Sequence, residues 1–276
     1  MSKKRNDTYV FMSKKEKIMI QFNFNRFGKL AKWSLTSDRS YYVRGFMQVL
    51  VILTLIFLAF TTHFFRFTVT GSSNPYLQCS TITVLLFFIN LIIGPSLMFQ
   101  SMKGEHDRQT LLMLPASNFE KYIMRYSTWI ILIPLYLIAF FGADLIQYLV
   151  NVIGGNEDVM FVTAKMMDKL GDVGQKASEY PRSTMLLIYV VLFWFHSLYA
   201  LGATFFRSRK FSAIFTTVVI IVLGMFFTWI SKYVDDDSPQ AFKCMALIYG
   251  VWALVNFWLS FKLFCRTQVK GKFVNL

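Results

Sequence analysis

Few residues of this sequence combine a reactive side chain with an unusual setting, and those that do lie in long apolar stretches. The candidates are Asp144, His63, Arg66, His196 and Asn90. If those stretches cross a membrane, ionisable groups inside them are costly and often mark a pathway. One interpretation is that Asp144, His63 and Arg66 form a polar lining or outer gate, with Asp144 paired to Arg66. The interpretation that the sequence slightly favours is that they reach toward water at a membrane surface.

His196 and Asn90 fall nearer the middle of their stretches. Polar side chains at this depth commonly form hydrogen bonds between helices, and less often bind a substrate. The sequence favours the first role, and the five residues together form a candidate pore or gate set.

The sequence contains no motif that would place a catalytic centre. It lacks the G-x-x-x-x-G-K-[ST] phosphate loop, the H-E-x-x-H zinc motif and the G-x-S-x-G nucleophile motif, and its three histidines are dispersed. We therefore predict a chain that is not an enzyme and has no cofactor or metal. An intramembrane lipid-modifying enzyme with scattered acids is the less favoured alternative.

The composition is that of a membrane protein. The 276 residues are 55% hydrophobic and 18% aromatic, and only 16% are charged. Because about 20 apolar residues are needed to span a bilayer as a helix, we predict an all-α polytopic fold. The six predicted spans are 46–65, 81–100, 126–150, 184–206, 211–231 and 241–264.

Charge is distributed unevenly among the predicted loops. Lysine and arginine concentrate in residues 1–45, in the loop after span two, in 207–210 and in the tail 266–276. The alternate loops are uncharged or acidic, as in Asp235 to Asp237. By the positive-inside rule, both termini are cytoplasmic. The net charge of +14 is thus expected to contact membrane lipids and not nucleic acid.

Two polar segments outside the spans have helical patterns. Aromatic and cationic residues alternate near helical period from Phe22 to Leu35, which predicts an amphipathic helix at the membrane interface, with a second helix starting near Asp38. The segment 151–182 allows a short amphipathic helix on the outer side, either as a surface helix or as a gate. Cys79 and Cys244 both fall near outer span ends, so either a disulfide or free thiols are compatible with the sequence.

The loop between spans two and three is more elaborate than a simple connection. Residues 105–113 can form a short amphipathic helix, which Pro115 must end. Ser117 and Glu120 then match the S-x-x-E capping box of a new helix that continues into span three. We therefore predict a helix, a tight break and a capped helix within 105–121.

This loop resembles the cytoplasmic signature of the permease subunits of type-two ABC exporters. The residues that carry the resemblance are Glu105, Arg108, Gln109, Thr110, Leu111, Leu114, Pro115, Ala116, Ser117, Glu120 and Lys121. In that family a charged, threonine-containing helix and a Leu-Pro-x-Ser turn form the coupling helix that docks on an ATP-binding subunit. The six-span layout and the interfacial helix also fit. One departure is that the larger outer segment follows span three here and span five in many members.

The resemblance implies a permease subunit of an ATP-driven exporter. Its expected partners are a separate ABC ATPase subunit and a second permease chain, identical or related, that completes the pore. The residues expected to couple to the ATPase are Glu105, Arg108, Leu111, Leu112, Leu114, Pro115, Ser117, Glu120 and Lys121. The alternative is a membrane scaffold or sensor whose loop recruits a different partner. The sequence does not identify a substrate.

Overall fold

All the elements that the computed structural model describes are helical. The structure describes residues 22–62, 74–101, 105–156, 158–206, 211–231 and 239–266, without the side chains of 105, 106, 108, 226–231 and 239. The elements are α1 (Phe24–Ser37), α2 (Arg39–Thr61), α3 (Pro75–Ile93), a 3-10 helix (Gly94–Leu97), α4 (Glu105–Met113), α5 (Asn118–Ile153), α6 (Val162–Glu179), α7 (Arg182–Phe205), α8 (Ser212–Ser231) and α9 (Pro239–Cys265).

Within the described residues, five helices are long and apolar enough to cross a membrane. They are Arg39–Thr61, Pro75–Leu97, Asn118–Ile153, Arg182–Phe205 and Gln240–Cys265. The fifth predicted span, 211–231, coincides with α8, whose apolar part within the described residues, Ser212–Met225, is shorter. The all-helical fold is confirmed, with five helices that could cross a membrane, and the count of six spans stays a prediction.

Helices α2 and α5 pack against each other in opposite directions. At one end Arg125 of α5 donates to Asp38, the residue immediately before α2, with Nη1 2.9 Å from Oδ2. At the other end Asn151 Nδ2 of α5 donates to Thr61 Oγ1 at 2.9 Å. We call the Asp38–Arg125 end the basic end, because α1, with its exposed Lys29 and Lys32, lies there, and the other the opposite end.

Helices α7 and α9 meet along a seam of small and polar residues. Asn256 Nδ2 donates to Ser197 Oγ at 3.0 Å, and Ser260 Oγ donates to the carbonyl oxygen of Ala200 at 3.0 Å. Thr204 Oγ1 in turn lies 3.1 Å from Ser260 Oγ. Small side chains let two helix backbones approach closely, and in an apolar surrounding these hydrogen bonds hold the pair in register.

The helices outside the long spans agree in part with the sequence. A helix, α1, covers most of the segment predicted to be interfacial, and its location at a membrane surface stays a prediction. Asp38 lies between α1 and α2, but its side chain does not cap α2. The helix expected in 151–182 is present as α6 and is longer than its apolar pattern indicated. Cys79 and Cys244 are free thiols, the first buried and the second exposed, so the disulfide alternative is not realised.

Candidate functional site

The loop 105–121 forms the predicted helix, break and capped helix. Helix α4 ends at Met113, and α5 begins at Asn118 after the four residues Leu114 to Ser117. Ser117 Oγ accepts from the amide of Glu120 at 3.2 Å, and Glu120 Oε2 accepts from the amide of Ser117 at 2.8 Å. The capping box is therefore confirmed, and it fixes where the 36-residue helix α5 starts.

Glu120 also binds α1, which the sequence did not indicate. Its fully buried carboxylate accepts from Arg26 Nε at 2.7 Å and from Arg26 Nη2 at 2.8 Å. Its Oε1 accepts a third bond from α1, from the amide of Asn23 at 2.7 Å. The hydrogen bond to Glu120 raises the pKa of the Arg26 guanidinium, so this bidentate pair stays ionised. One carboxylate thus joins the starts of α1 and α5.

A second ion pair lies about one and a half helical turns further along α5. The Arg125 side chain is 2% exposed and the Asp38 side chain 9%, so both charges are removed from water. Arg125 Nη1 also donates to Ser101 Oγ at 3.0 Å, and Ser34 Oγ donates to Asp38 Oδ2 at 3.2 Å. The pair connects the end of α1 to α5 and to the chain just after the 3-10 helix.

The predicted coupling residues occupy different environments, and Leu111 is the most buried of the three predicted leucines. Leu111 is 3% exposed and packs in a cluster with Leu30, Met98, Tyr122 and other residues of α1, α5, α7 and α9. Leu114 packs against the same cluster and Leu112 is half-buried. Since Leu111 faces the helix bundle, it anchors α4 and cannot form part of an exposed docking surface in this conformation.

The exposed apolar residue of α4 is Met113, which sequence reasoning did not select. Its side chain is 85% exposed at the end of the helix, next to the break. Pro115, Thr110 and Asp107 are exposed as well. The signal that could have found Met113 is the helical period, which places it and Leu111 about 200° apart, on opposite sides of α4.

The buried side chain of Lys121 stabilises the break between α4 and α5. This residue is only 4% exposed, and its Nζ donates to the carbonyl oxygen of Leu112 at 2.8 Å. A cation here satisfies one of the carbonyls that the end of α4 leaves unpaired. Glu105 and Arg108 lie in α4, but their side chains are outside the described part of the chain, so their predicted contacts remain predictions.

Asp144, at the opposite end, binds the start of α6. This residue is 2% exposed. Its carboxylate accepts from the amide of Val162 at 2.8 Å, from the amide of Thr163 at 2.9 Å and from Thr163 Oγ1 at 2.6 Å. Asp144 therefore supplies the N-terminal cap of a helix 18 residues away in sequence. His63 and Arg66 lie outside the described residues, so the pairing of Asp144 with Arg66 stays a prediction.

His196 lies where three helices meet. Its Nδ1 is 2.7 Å from the carbonyl oxygen of Leu91 on α3, and its Nε2 is hydrogen-bonded to the hydroxyl of Tyr126 on α5. A carbonyl can only accept, so Nδ1 donates and the neutral ring accepts at Nε2. These are the interhelical bonds that the sequence favoured. Asn90, beside Leu91, is half-buried.

Comparison with known proteins identifies no relative. No protein-family model matches the chain, and no curated protein or solved structure matches it significantly. Among the described residues, no group of three or more His, Cys, Asp or Glu side chains is placed to hold a metal ion. What the geometry does offer is the 105–121 element, a short helix and a capped break that pack against the start of α5.

Replacing Glu120 with alanine is expected to release α1 from α5. The variant removes three hydrogen bonds from α1 and half of the capping box, and bonds to a charged group contribute about 1.5–3 kcal/mol. Hydrogen–deuterium exchange should increase several-fold in residues 22–37. Glu179→Ala, which removes an exposed acid at the far end of α6, should leave exchange there unchanged. Equal protection of residues 22–37 in both variants would contradict this role.

Proposed function

We propose that this chain is the membrane-spanning subunit of an ATP-driven ABC-type exporter. In this proposal two such chains form the pore in a bacterial inner membrane, and the 105–121 element receives a separate ATPase on the cytoplasmic side. The observation that carries the proposal is the construction of that element. It is a short helix with one exposed and one anchored face, joined by a capped break to a helix that crosses the bundle.

The contacts of the 105–121 element would allow it to transmit a mechanical force to the helix bundle. Helix α5 has 36 residues and is about 54 Å long at about 1.5 Å per residue. Leu111 and the Lys121 bond to Leu112 hold α4 against the start of α5, so α4 cannot move without moving that helix. The cluster around Leu111 also includes Ala203 of α7 and Phe264 of α9. A load on α4 would therefore reach three of the long helices.

The proposed ATPase contact is the exposed side of α4 and the break, with Met113 and Pro115 at its centre. An exposed methionine adapts to the shape of a partner and gains apolar burial when it is covered. Buried coupling residues would hold this surface in position without contacting the ATPase. They are the predicted residues Leu111, Ser117, Glu120 and Lys121. Glu105 and Arg108 keep their predicted role in setting the register with the ATPase.

Met113→Asp is expected to weaken association with the ATPase about tenfold or more, which corresponds to about 1.4 kcal/mol. The variant places a charge at the centre of an apolar contact without touching the buried cluster. The measurement is co-purification with candidate ABC ATPases, including any that is encoded next to this chain, followed by titration of the pair and of its ATPase activity. Ile153→Asp is the matched control, because Ile153 is also 85% exposed and is the last residue of α5, at the opposite end.

Two outcomes would reject the proposal. If Met113→Asp is folded and both binds and stimulates the ATPase normally, the 105–121 element is not the coupling site. If crosslinking captures no ATP-binding protein on this element, the chain is better described as a scaffold or sensor. The second result would leave the geometry of α4 intact and would change only the identity of its partner.

A further inference from the structure

Helix α6 has an apolar face that the described part of the chain leaves uncovered. Val162 is fully buried and Met166 packs near it, so the first turns of α6 rest on the bundle. Beyond them Met167, Leu170 and Val173 are 57%, 42% and 55% exposed. The charged residues Asp168, Asp172, Lys176 and Glu179 follow the other side of the helix at helical period. From Leu170 onward every residue of α6 except Ala177 is exposed.

The depth of α6 is set by the contacts of its first half. Asp144, which caps α6, lies 18 residues beyond Tyr126, the predicted start of the span, or about 27 Å along the helix. Because a hydrocarbon core is about 30 Å thick, the first turn of α6 lies at its boundary. Lys169 is hydrogen-bonded to Thr81, which lies in the second turn of α3. The helix thus lies beside the end of a span and not above it.

Aromatic residues at both ends of α6 indicate the same depth relative to the membrane. Tyr148 of α5 stacks on Phe161, the residue before α6, with ring centroids 4.2 Å apart. The hydroxyl of Tyr76 donates to the carbonyl oxygen of Asp158 at 3.0 Å. At the other end of α6, Tyr180 is 58% exposed. Aromatic side chains concentrate where lipid headgroups meet the acyl chains, so both ends of α6 carry the residues typical of that zone.

The sequence of α6 gives it little stability of its own. Gly171 and Gly174 lie inside the helix, and each glycine costs roughly 1 kcal/mol relative to alanine. A side chain at either position would meet nothing within 4 Å, so close packing does not explain them. A short helix that is half uncovered is marginal in water and needs an apolar surface to remain formed.

From these observations we infer that α6 is an interfacial helix at the opposite end of the bundle. Its apolar face, formed by Met167, Leu170 and Val173, inserts into the lipid leaflet there. Lipid covers this face, in the zone where the headgroups meet the acyl chains. Helix α3, on which α6 packs, also has exposed apolar side chains, among them Leu85 and Phe88. The inference is independent of the proposed transport function.

Spin labels on the two faces of α6 test this placement. In a background with Cys244→Ser and Cys265→Ser, and with the buried Cys79 retained, single cysteines are introduced as Met167→Cys, Leu170→Cys and Val173→Cys. Asp172→Cys and Lys176→Cys on the charged face are the matched controls. Each labelled protein is placed in lipid nanodiscs, and collisions of the label with oxygen and with a water-soluble nickel chelate are measured by power-saturation EPR.

Labels on the apolar face are expected to collide mainly with oxygen, and labels on the charged face mainly with the nickel chelate. Nickel access to both faces would show that α6 stands in water and would overturn the inference. Protection of the apolar face from both reagents would also overturn it, because a protein surface, such as a second copy of the chain, would then cover the face. Oxygen access with nickel exclusion on both faces would place α6 too deep for an interfacial helix.

Discussion

Replacement of Asp38 by alanine is expected to lower the free energy of unfolding by about 3–5 kcal/mol. The carboxylate of Asp38 neutralises Arg125, whose side chain is 2% exposed, and the variant leaves that guanidinium buried without its counter-charge. Removal of one partner from a buried ion pair is costly because the remaining charge cannot return to water. The free energy of unfolding is measured in mixed detergent micelles, with far-UV circular dichroism as the signal that reports loss of helix.

Asp168→Ala is the control for this prediction. It removes an acid from another ion pair, with Lys165 at 3.2 Å, but the Asp168 side chain is 68% exposed. Exposed pairs contribute about 0–1 kcal/mol, so this variant should change stability little. The double variant Asp38→Ala, Arg125→Met should recover most of the loss, since an apolar side chain can fill a buried site without a counter-charge. Equal losses for the two single aspartate variants would contradict a buried pair.

Features that depend on neighbours in the chain could be predicted from the sequence. The capping box joins Ser117 to Glu120, three residues away, and Pro115 ends a helix wherever it lies. The sequence therefore predicted both the break and the restart of helix correctly. Long apolar runs likewise predicted the long helices, because a helical run of about 20 apolar residues is long enough to cross a bilayer.

Features that depend on distant contacts could not be predicted in the same way. Glu120 was identified as a cap, but its bonds to Arg26 join residues 94 apart in the sequence. The sequence identified Asp144 because a carboxylate in an apolar run costs free energy to bury. Its main partners are nevertheless backbone amides of α6, which any sequence would supply. An apolar pattern also does not say which leucine of α4 faces the bundle, since Leu111 and Leu112 are chemically identical.

These distant contacts give the basic end of the bundle its rigidity. Glu120 and Arg125 lie less than two helical turns apart on α5, and each binds a different end of α1. A helix held at both ends has little freedom to rotate, so α1, α4 and the start of α5 are expected to move together. If the chain couples to an ATPase as proposed, the unit that receives the load is this assembly and not α4 alone.

Gly202→Ala is expected to destabilise the contact between α7 and α8 by about 1–3 kcal/mol, through overpacking. A β-carbon at Gly202 would lie 1.9 Å from Thr216 Oγ1 and 2.9 Å from Thr216 Cβ. Rotation of the threonine side chain cannot remove the clash, because Cβ stays in place. The rotation would also break the bond from Thr216 Oγ1 to the carbonyl oxygen of Ser212, which is 2.7 Å long. The two helices must therefore separate, and the unfolding assay used for Asp38 measures the cost.

Gly224→Ala on α8 makes the same chemical change where a side chain would meet nothing within 4 Å. Because alanine favours the helix over glycine by about 1 kcal/mol, this variant should be at least as stable as the wild type. The two substitutions are thus expected to have opposite signs. Adding Thr216→Ala to Gly202→Ala should restore part of the loss, since Oγ1 is removed while Cβ remains at 2.9 Å. A Gly202→Ala protein as stable as Gly224→Ala would mean that α7 and α8 do not approach as closely as the structure describes.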